Sequence, residues 1–197
     1  MKVKAKKPEM KEKGRSVRPV GKMKEPAGLP EGKLWLPFIL TAAVIILDQI
    51  TKALIVANIP QGQIGFAAFG DFLWIVHERN PAIAFSMGLE LPPPVRKLLF
   101  ILLPVILMVL IALYYFKSKA LSRLQRWALC GILGGGIGNI IDRIFRPEGV
   151  VDFISNKFYG IFGMERWPTY NVADSSVVIC GILLIISVIA DERKKPS

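Results

Sequence analysis

The chain reads as an all-α membrane protein, a bundle of four transmembrane helices with a small extracytoplasmic β-element between helices 1 and 2. Three observations point there. Hydrophobic residues fill 52% of the sequence and mean hydropathy is +0.44, too apolar for an ordinary water-soluble domain. The apolar residues stand in long blocks rather than at amphipathic spacing. Lysine and arginine alternate between crowded and sparse segments, the pattern of a chain threaded back and forth across a bilayer.

The elements follow in order. Residues 1–33 are rich in Lys, Pro, Gly and Glu and poor in branched apolar and aromatic residues. Such a segment cannot bury enough surface to offset its ordering entropy, so a disordered basic cytoplasmic tail is expected. It does not precede a signal peptide, because the next apolar segment is too long and no small-residue cleavage site follows it. The first span covers about 34–57 and is broken only by Asp48, Gln49, Thr51 and Lys52. Segment 58–95 holds Gly62, Gly65, Gly70 and the alternating run Phe72-Leu73-Trp74-Ile75-Val76-His77. That pattern predicts a β-element lying on the outer membrane surface, where Trp74 and Trp167 suit the interface. The second span covers about 97–116. Leu98–Phe116 carries no charge and is long enough to cross a bilayer, and Pro104 inside it predicts a kink. The third span, about 125–145, contains Gly131, Gly134, Gly135, Gly136 and Gly138, and small residues four apart let helices approach closely. The fourth covers about 171–190, so that 34–190 forms one membrane domain, and 191–197 is read as a cytoplasmic C-terminal tail.

Charge placement orients the bundle. Lys117, Lys119, Arg123 and Arg126 crowd the connection between spans two and three, and Arg193-Lys194-Lys195 ends the chain. Segment 58–95 has only Arg79, and 147–170 only Lys157 and Arg166. Both termini therefore belong in the cytoplasm and both sparse segments outside. The net charge of +11 sits on the membrane flanks, where the tail is expected either to bind anionic lipid or to recruit a partner, and no folded basic face points to nucleic acid. Cys130 and Cys180 lie inside apolar runs and read as small core residues.

The polar residues left inside the apolar blocks carry the chemistry. Asp152 and Asp174 sit at the edges of apolar segments, within Val150-Val151-Asp152-Phe153-Ile154 and Tyr170-Asn171-Val172-Ala173-Asp174-Ser175. Ionisable groups at membrane depth are costly and are functional candidates by default. Two carboxylates at one site can share a proton and activate water. Asp48 and Lys52 are four apart and share a helix face, as do Asn139 and Asp142, three apart. With Arg143 and Asn171, these groups fall at one depth near the outer end of the bundle.

Each group has a plainer alternative. Asp174 alone reads as a helix cap, Asp152 alone as a solvated loop residue, and Asp48 with Lys52 as a structural ion pair. His77 is the single histidine, reads as a surface residue, and cannot build a metal site alone. Ser86 lacks a nucleophile-elbow context. Phe85 and Trp74 read as packing residues. No cofactor is expected. A rival from another class is a proton-coupled carrier using buried carboxylates, but the polar groups gather at one end and no inverted repeat is visible.

Five motifs together resemble one family. Asp48-Gln49-Ile50-Thr51-Lys52, Asn80-Pro81-Ala82-Ile83-Ala84-Phe85, Gly138-Asn139-Ile140-Ile141-Asp142-Arg143, Val151-Asp152-Phe153 and Asn171-Val172-Ala173-Asp174 are similar, in order and spacing, to the signature set of the prolipoprotein signal peptidases, intramembrane aspartic proteases of the signal peptidase II type. The resemblance covers roughly 34–190. It implies cleavage of a signal peptide before a diacylglyceryl-modified cysteine at the outer face of the bacterial cytoplasmic membrane; a monomer is expected. It implies Asp152 and Asp174 as the catalytic dyad and Asp48, Lys52, Asn80, Asn139, Asp142, Arg143 and Asn171 as residues around substrate and dyad. Ala82 stands where the family often has Gly, and the long basic tail is a second departure.

Overall fold

The structure, a computed structural model, describes residues 33–81 and 92–193. The basic tail up to residue 32, Ala82, Phe85, Ser86 and the last four residues lie outside the described residues. Four helices are long and apolar enough to cross a membrane: α1 (Phe38–Asn58), α2 (Pro93–Lys117), α3 (Arg123–Phe145) and α4 (Val172–Glu192).

Helix α3 is the centre of the bundle and packs against each of the other three. It is also the least apolar, with a mean hydropathy of 1.3 over its most apolar stretch against 2.8 for α2. The two facts have one cause: α3 faces protein where the others face lipid, and small residues let neighbours close on it. A β-carbon placed on Gly134 would lie 3.0 Å from the Thr41 carbonyl oxygen of α1, and one on Gly135 would lie 2.3 Å from the Ala173 carbonyl oxygen of α4. One on Gly136 would lie 2.3 Å from Met108 Sδ of α2. Side-chain hydroxyls pin the close approaches: Thr41 Oγ1 donates to the Cys130 carbonyl at 2.7 Å, and Ser176 Oγ to the Gly131 carbonyl at 2.9 Å.

The helix ends are closed chemically. Ser122 and Gln125 form a capping box at the start of α3. Arg126, buried beneath, donates to the carbonyls of Tyr115 and Ser118 at 3.1 and 3.0 Å, satisfying the end of α2. Pro104 lies inside α2, which continues through it.

At the opposite end sits a three-stranded antiparallel sheet in the order β1 (Ile64–Ala68), β2 (Leu73–Asn80), β3 (Val150–Asn156). The β1–β2 hairpin is the expected element between helices 1 and 2. The third strand comes from the segment between α3 and α4, so Asp152 lies in a paired strand rather than a loop. A register shift interrupts β2: Ile75 pairs with Ile154 and Glu78 with Asp152, so Val76 and His77 together oppose Phe153. This bulge breaks the alternation and buries both Val76 and His77. His77 is therefore a buried residue and not the surface residue expected, with Nδ1 2.7 Å from the Ile59 carbonyl oxygen at the end of α1.

Candidate active site

The polar side chains of α1, α3, α4 and the sheet meet where α1 and α3 finish and α4 begins. Lys52 is the first hub. Its Nζ lies 2.8 Å from Asp48 Oδ2, 3.0 Å from Asp142 Oδ2 and 3.0 Å from Asn139 Oδ1, so all its donors are used. The side chains of Lys52, Asp48 and Asp142 are 0% exposed. Charges so far from water persist only when paired and hydrogen-bonded.

Each carboxylate of this trio also holds backbone. Asp48 Oδ1 accepts from the Ala173 N–H at 3.0 Å, one of the free donors that open α4. Asp142 Oδ2 accepts from the Val151 N–H at 3.1 Å and so ties β3 to α3. Gln49 Nε2 donates to Asp48 Oδ2, the Gly138 carbonyl and Asp142 Oδ1, each at 3.1 Å. Asp142 does not pair with its sequence neighbour Arg143. Adjacent helical residues point away from each other, and Arg146, one turn on, takes the bond with Nε 3.1 Å from Asp142 Oδ1. Arg143 makes no ion pair among the described residues, although the charges of Asp174, Asp152 and Asp142 reach its guanidinium.

The second hub is a pair of amides. Asn139 Nδ2 donates to Asp174 Oδ1 at 2.7 Å. Asn171 Nδ2 donates to Asp152 Oδ1 at 2.7 Å and to Asn139 Oδ1 at 3.1 Å. Two carboxylates distant in sequence are thus joined in a chain running Asp174, Asn139, Asn171, Asp152. Asn80 Nδ2 donates to the other oxygen of Asp152 at 3.0 Å. Lys52 fixes the orientation of Asn139, since its ammonium occupies the amide oxygen and leaves the amide nitrogen for Asp174.

Asp174 stands in the first turn of α4 but is not the cap. Asn171 caps the helix, its Oδ1 accepting from the Asp174 N–H at 2.9 Å, and Asp174 Oδ2 accepts in return from the Asn171 N–H at 3.2 Å. Asp152 is only 2% exposed. Burial, then the charge of Asp174, pushes its carboxyl up to about 7, against the opposing pull of the Asn80 and Asn171 hydrogen bonds and of Lys52. A carboxyl poised near neutrality beside a second one can hold a proton in one place and accept one in another.

Asp48, Lys52, Asn80, Asn139, Asp142, Asn171, Asp152 and Asp174 therefore join one hydrogen-bonded network, with Arg143 beside it. Sequence reasoning missed Gln49, Arg146 and the N–H groups of Val151 and Ala173. The i, i+4 spacing of Asp142 and Arg146 was a usable signal for one of them; nothing in the sequence marks the backbone groups.

The family model described as Signal peptidase (SPase) II matches residues 40–190. A lipoprotein signal peptidase of Treponema pallidum (strain Nichols) is 48% identical over 160 residues, spanning 81% of this chain and 86% of that protein. One of Treponema denticola is 50% identical over 161 residues, spanning 82% of this chain and 92% of that protein. Among solved structures, a bacterial membrane enzyme superposes with a TM-score of 0.70 at 29% identity, covering 82% of this chain and 93% of that one.

Proposed function

The chain belongs to the signal peptidase II family, and we propose that it is an intramembrane aspartic endopeptidase that removes signal peptides from bacterial prolipoproteins. The cut falls before the diacylglyceryl-modified cysteine. The observation that carries the assignment of Asp152 and Asp174 as the dyad is the amide bridge between them. No structural role requires two buried carboxylates to share one hydrogen-bond chain, and like charges so placed disfavour joint ionisation.

The chemistry follows from one shared proton. Asp174 lies at the positive end of α4, and it is taken as the partner that carries the charge. Burial draws the proton to Asp152. The Asp174 carboxylate takes a proton from water as the water oxygen bonds to the scissile carbonyl carbon, while the Asp152 O–H polarises and protonates the carbonyl oxygen. The tetrahedral diol then collapses. Asp174 gives its proton to the departing amine, the C–N bond breaks, and Asp152 recovers its own proton. Asn171 and Asn139 hold both carboxyls in place throughout, as a preorganised shell does. Arg143, without an ion-pair partner among the described residues, is left to face the substrate.

The charge bias of the sequence supports the remaining details. Both termini lie in the cytoplasm, the dyad opens to the outer leaflet of the cytoplasmic membrane, and the basic tail meets anionic lipid. The bridged dyad is assembled from one chain, which supports a monomer. A proton-coupled carrier finds no support among the relatives.

The test is a detergent-solubilised assay with a lipidated peptide. Asp152→Asn and Asp174→Asn each lower cleavage by at least about 10²–10⁴-fold while the protein still folds. Wild-type cleavage by either variant removes the dyad.

A further inference from the structure

The register of β2 on β3 sets a third carboxylate beside the dyad. Glu78 stands directly opposite Asp152 on the neighbouring strand, and Asn80 opposite Val150. Residues opposed on antiparallel strands project from the same face, and residues two apart along one strand share it. Glu78, Asn80 and Asp152 therefore occupy one face of the sheet, and the hydrogen bond from Asn80 to Asp152 runs across its diagonal. Directly opposed β-carbons lie about 4.5–5.5 Å apart. Arg79, between Glu78 and Asn80, projects from the other face and pairs with Glu148 at 3.4 Å.

Glu78 differs from Asp152 in exposure and in company. Asp152 is buried and held by two amides, whereas Glu78 is exposed. Its carboxylate makes no ion pair and no side-chain hydrogen bond among the described residues. The other acidic side chains around the sheet are engaged: Asp71 and Glu165 with Lys157, and Glu148 with Arg79. The fold gains nothing from Glu78 where it stands, since like charges directly opposed on neighbouring strands are unfavourable. What the position offers is a free negative charge at the rim of the site, one strand away from a reacting group.

We propose, on the peptidase reading of the dyad, that Glu78 is a specificity-determining residue that favours substrates with a lysine or arginine shortly after the lipidated cysteine. The segment before the cut is a signal peptide lying in the bilayer, where a charged side chain is costly. A cation that meets Glu78 therefore belongs to the part of the substrate that follows the cut and leads into water. An extended peptide advances about 3.3 Å per residue, so with the scissile carbonyl at Asp152 the residues roughly one to three places beyond the cysteine pass Glu78. A rim charge attracts bound substrate and transition state alike, so its effect falls on KM more than on kcat. One exposed ion pair gives roughly two- to fivefold, and trading attraction for repulsion adds a comparable factor.

Lipidated peptides with Lys, Gln or Glu at each of the first three positions after the cysteine test it, in neutral detergent, with wild type, Glu78→Gln and Glu78→Lys. The readout is the kcat/KM ratio of the Lys peptide to the Glu peptide within each enzyme, which does not depend on how much of a preparation is folded. At one or more positions that ratio should fall roughly 3–20-fold from wild type to Glu78→Gln and fall again in Glu78→Lys, mainly through KM. The drop should shrink at high salt. Glu148→Gln removes an exposed charge of the same sign that already faces Arg79, and its ratio should stay near wild type. A ratio unmoved by both Glu78 variants at all three positions would overturn the proposal. So would an equal drop in Glu148→Gln, which would make the effect one of net charge. A wild type that cuts none of the peptides would remove the peptidase reading, and the selection with it.

Discussion

Gly135→Ala tests whether the spacing of α3 and α4 sets the dyad. The added β-carbon would meet the Ala173 carbonyl oxygen at 2.3 Å and Val177 Cγ2 at 2.7 Å. The valine can turn aside; the carbonyl is backbone, in the first turn of α4 and adjacent to Asp174. Ordinary contact begins near 3.4 Å, so the helices must part by about 1 Å there. A displacement of that size at a reacting group costs roughly 10²-fold in rate, and the overpacking about 1–3 kcal/mol in stability. Gly181→Ala in α4 is the control: nothing lies within 4 Å of its added β-carbon, so rate and melting temperature stay near wild type. Cleavage rates for the lipidated peptide and thermal melts in detergent give both quantities. Equal rates for the two variants would refute the link between helix spacing and the dyad.

Lys52→Met leaves Asp48 and Asp142 buried without their shared cation and destabilises the protein by about 3–5 kcal/mol, read as a lower melting temperature; an unshifted melt would contradict the buried trio. Wild-type cleavage falls as pH rises through about 7, where Asp152 gives up the proton the pair needs, and a rate level into the alkaline range would exclude this. Asn171→Ala removes a 2.7 Å hydrogen bond from the Asp152 anion, so that alkaline limb moves upward while the rate drops about 10–100-fold; a limb that stays in place or moves down would contradict it. Between pH 3.8 and about 7 folded Asp152 holds a proton the unfolded chain has lost, so stability falls as pH rises across that window, by at most about 4 kcal/mol. Asp152→Asn abolishes this titration, and its melting temperature gains on wild type with rising pH; a constant gap would contradict it.

The helices and the hairpin were legible because their signals are local. An uncharged block long enough to cross a bilayer and a glycine-bounded alternating run need no knowledge of the rest of the chain. Strand β3 was not legible, since Val150–Asn156 acquires its role only by pairing with β2, seventy residues earlier. His77 was misread for a related reason: strict alternation puts it opposite Val76, and the bulge that turns both inward depends on the register against Phe153. In the site, residue types and their common depth pointed to a polar cluster and the i, i+4 spacing to the Asp48–Lys52 pair, but the other partners did not follow. Asp142 chose Lys52 and Arg146 over its neighbour Arg143 because helix geometry, not adjacency, sets reach. The glycines of α3 were readable as close packing, yet which one faces which helix depends on the rotation of α3 in the bundle.

The protonation of the pair also follows from the charges around it. Lys52, Arg143 and Arg146 bring positive charge to this end of the bundle, and Asp48 and Asp142 bring negative charge. One net negative charge on Asp152 and Asp174 together therefore leaves the cluster neutral. A second would leave it charged in a low-dielectric setting, where uncompensated charge is most costly. The singly protonated state that peptide hydrolysis requires is thus the state the fold itself favours. Arg143 is the member of that balance without an ion pair among the described residues. Removing its charge leaves the surrounding cluster one positive charge short, so the pair holds its shared proton more tightly and the second ionisation becomes harder. Through this charge balance Arg143 acts on the dyad without touching it.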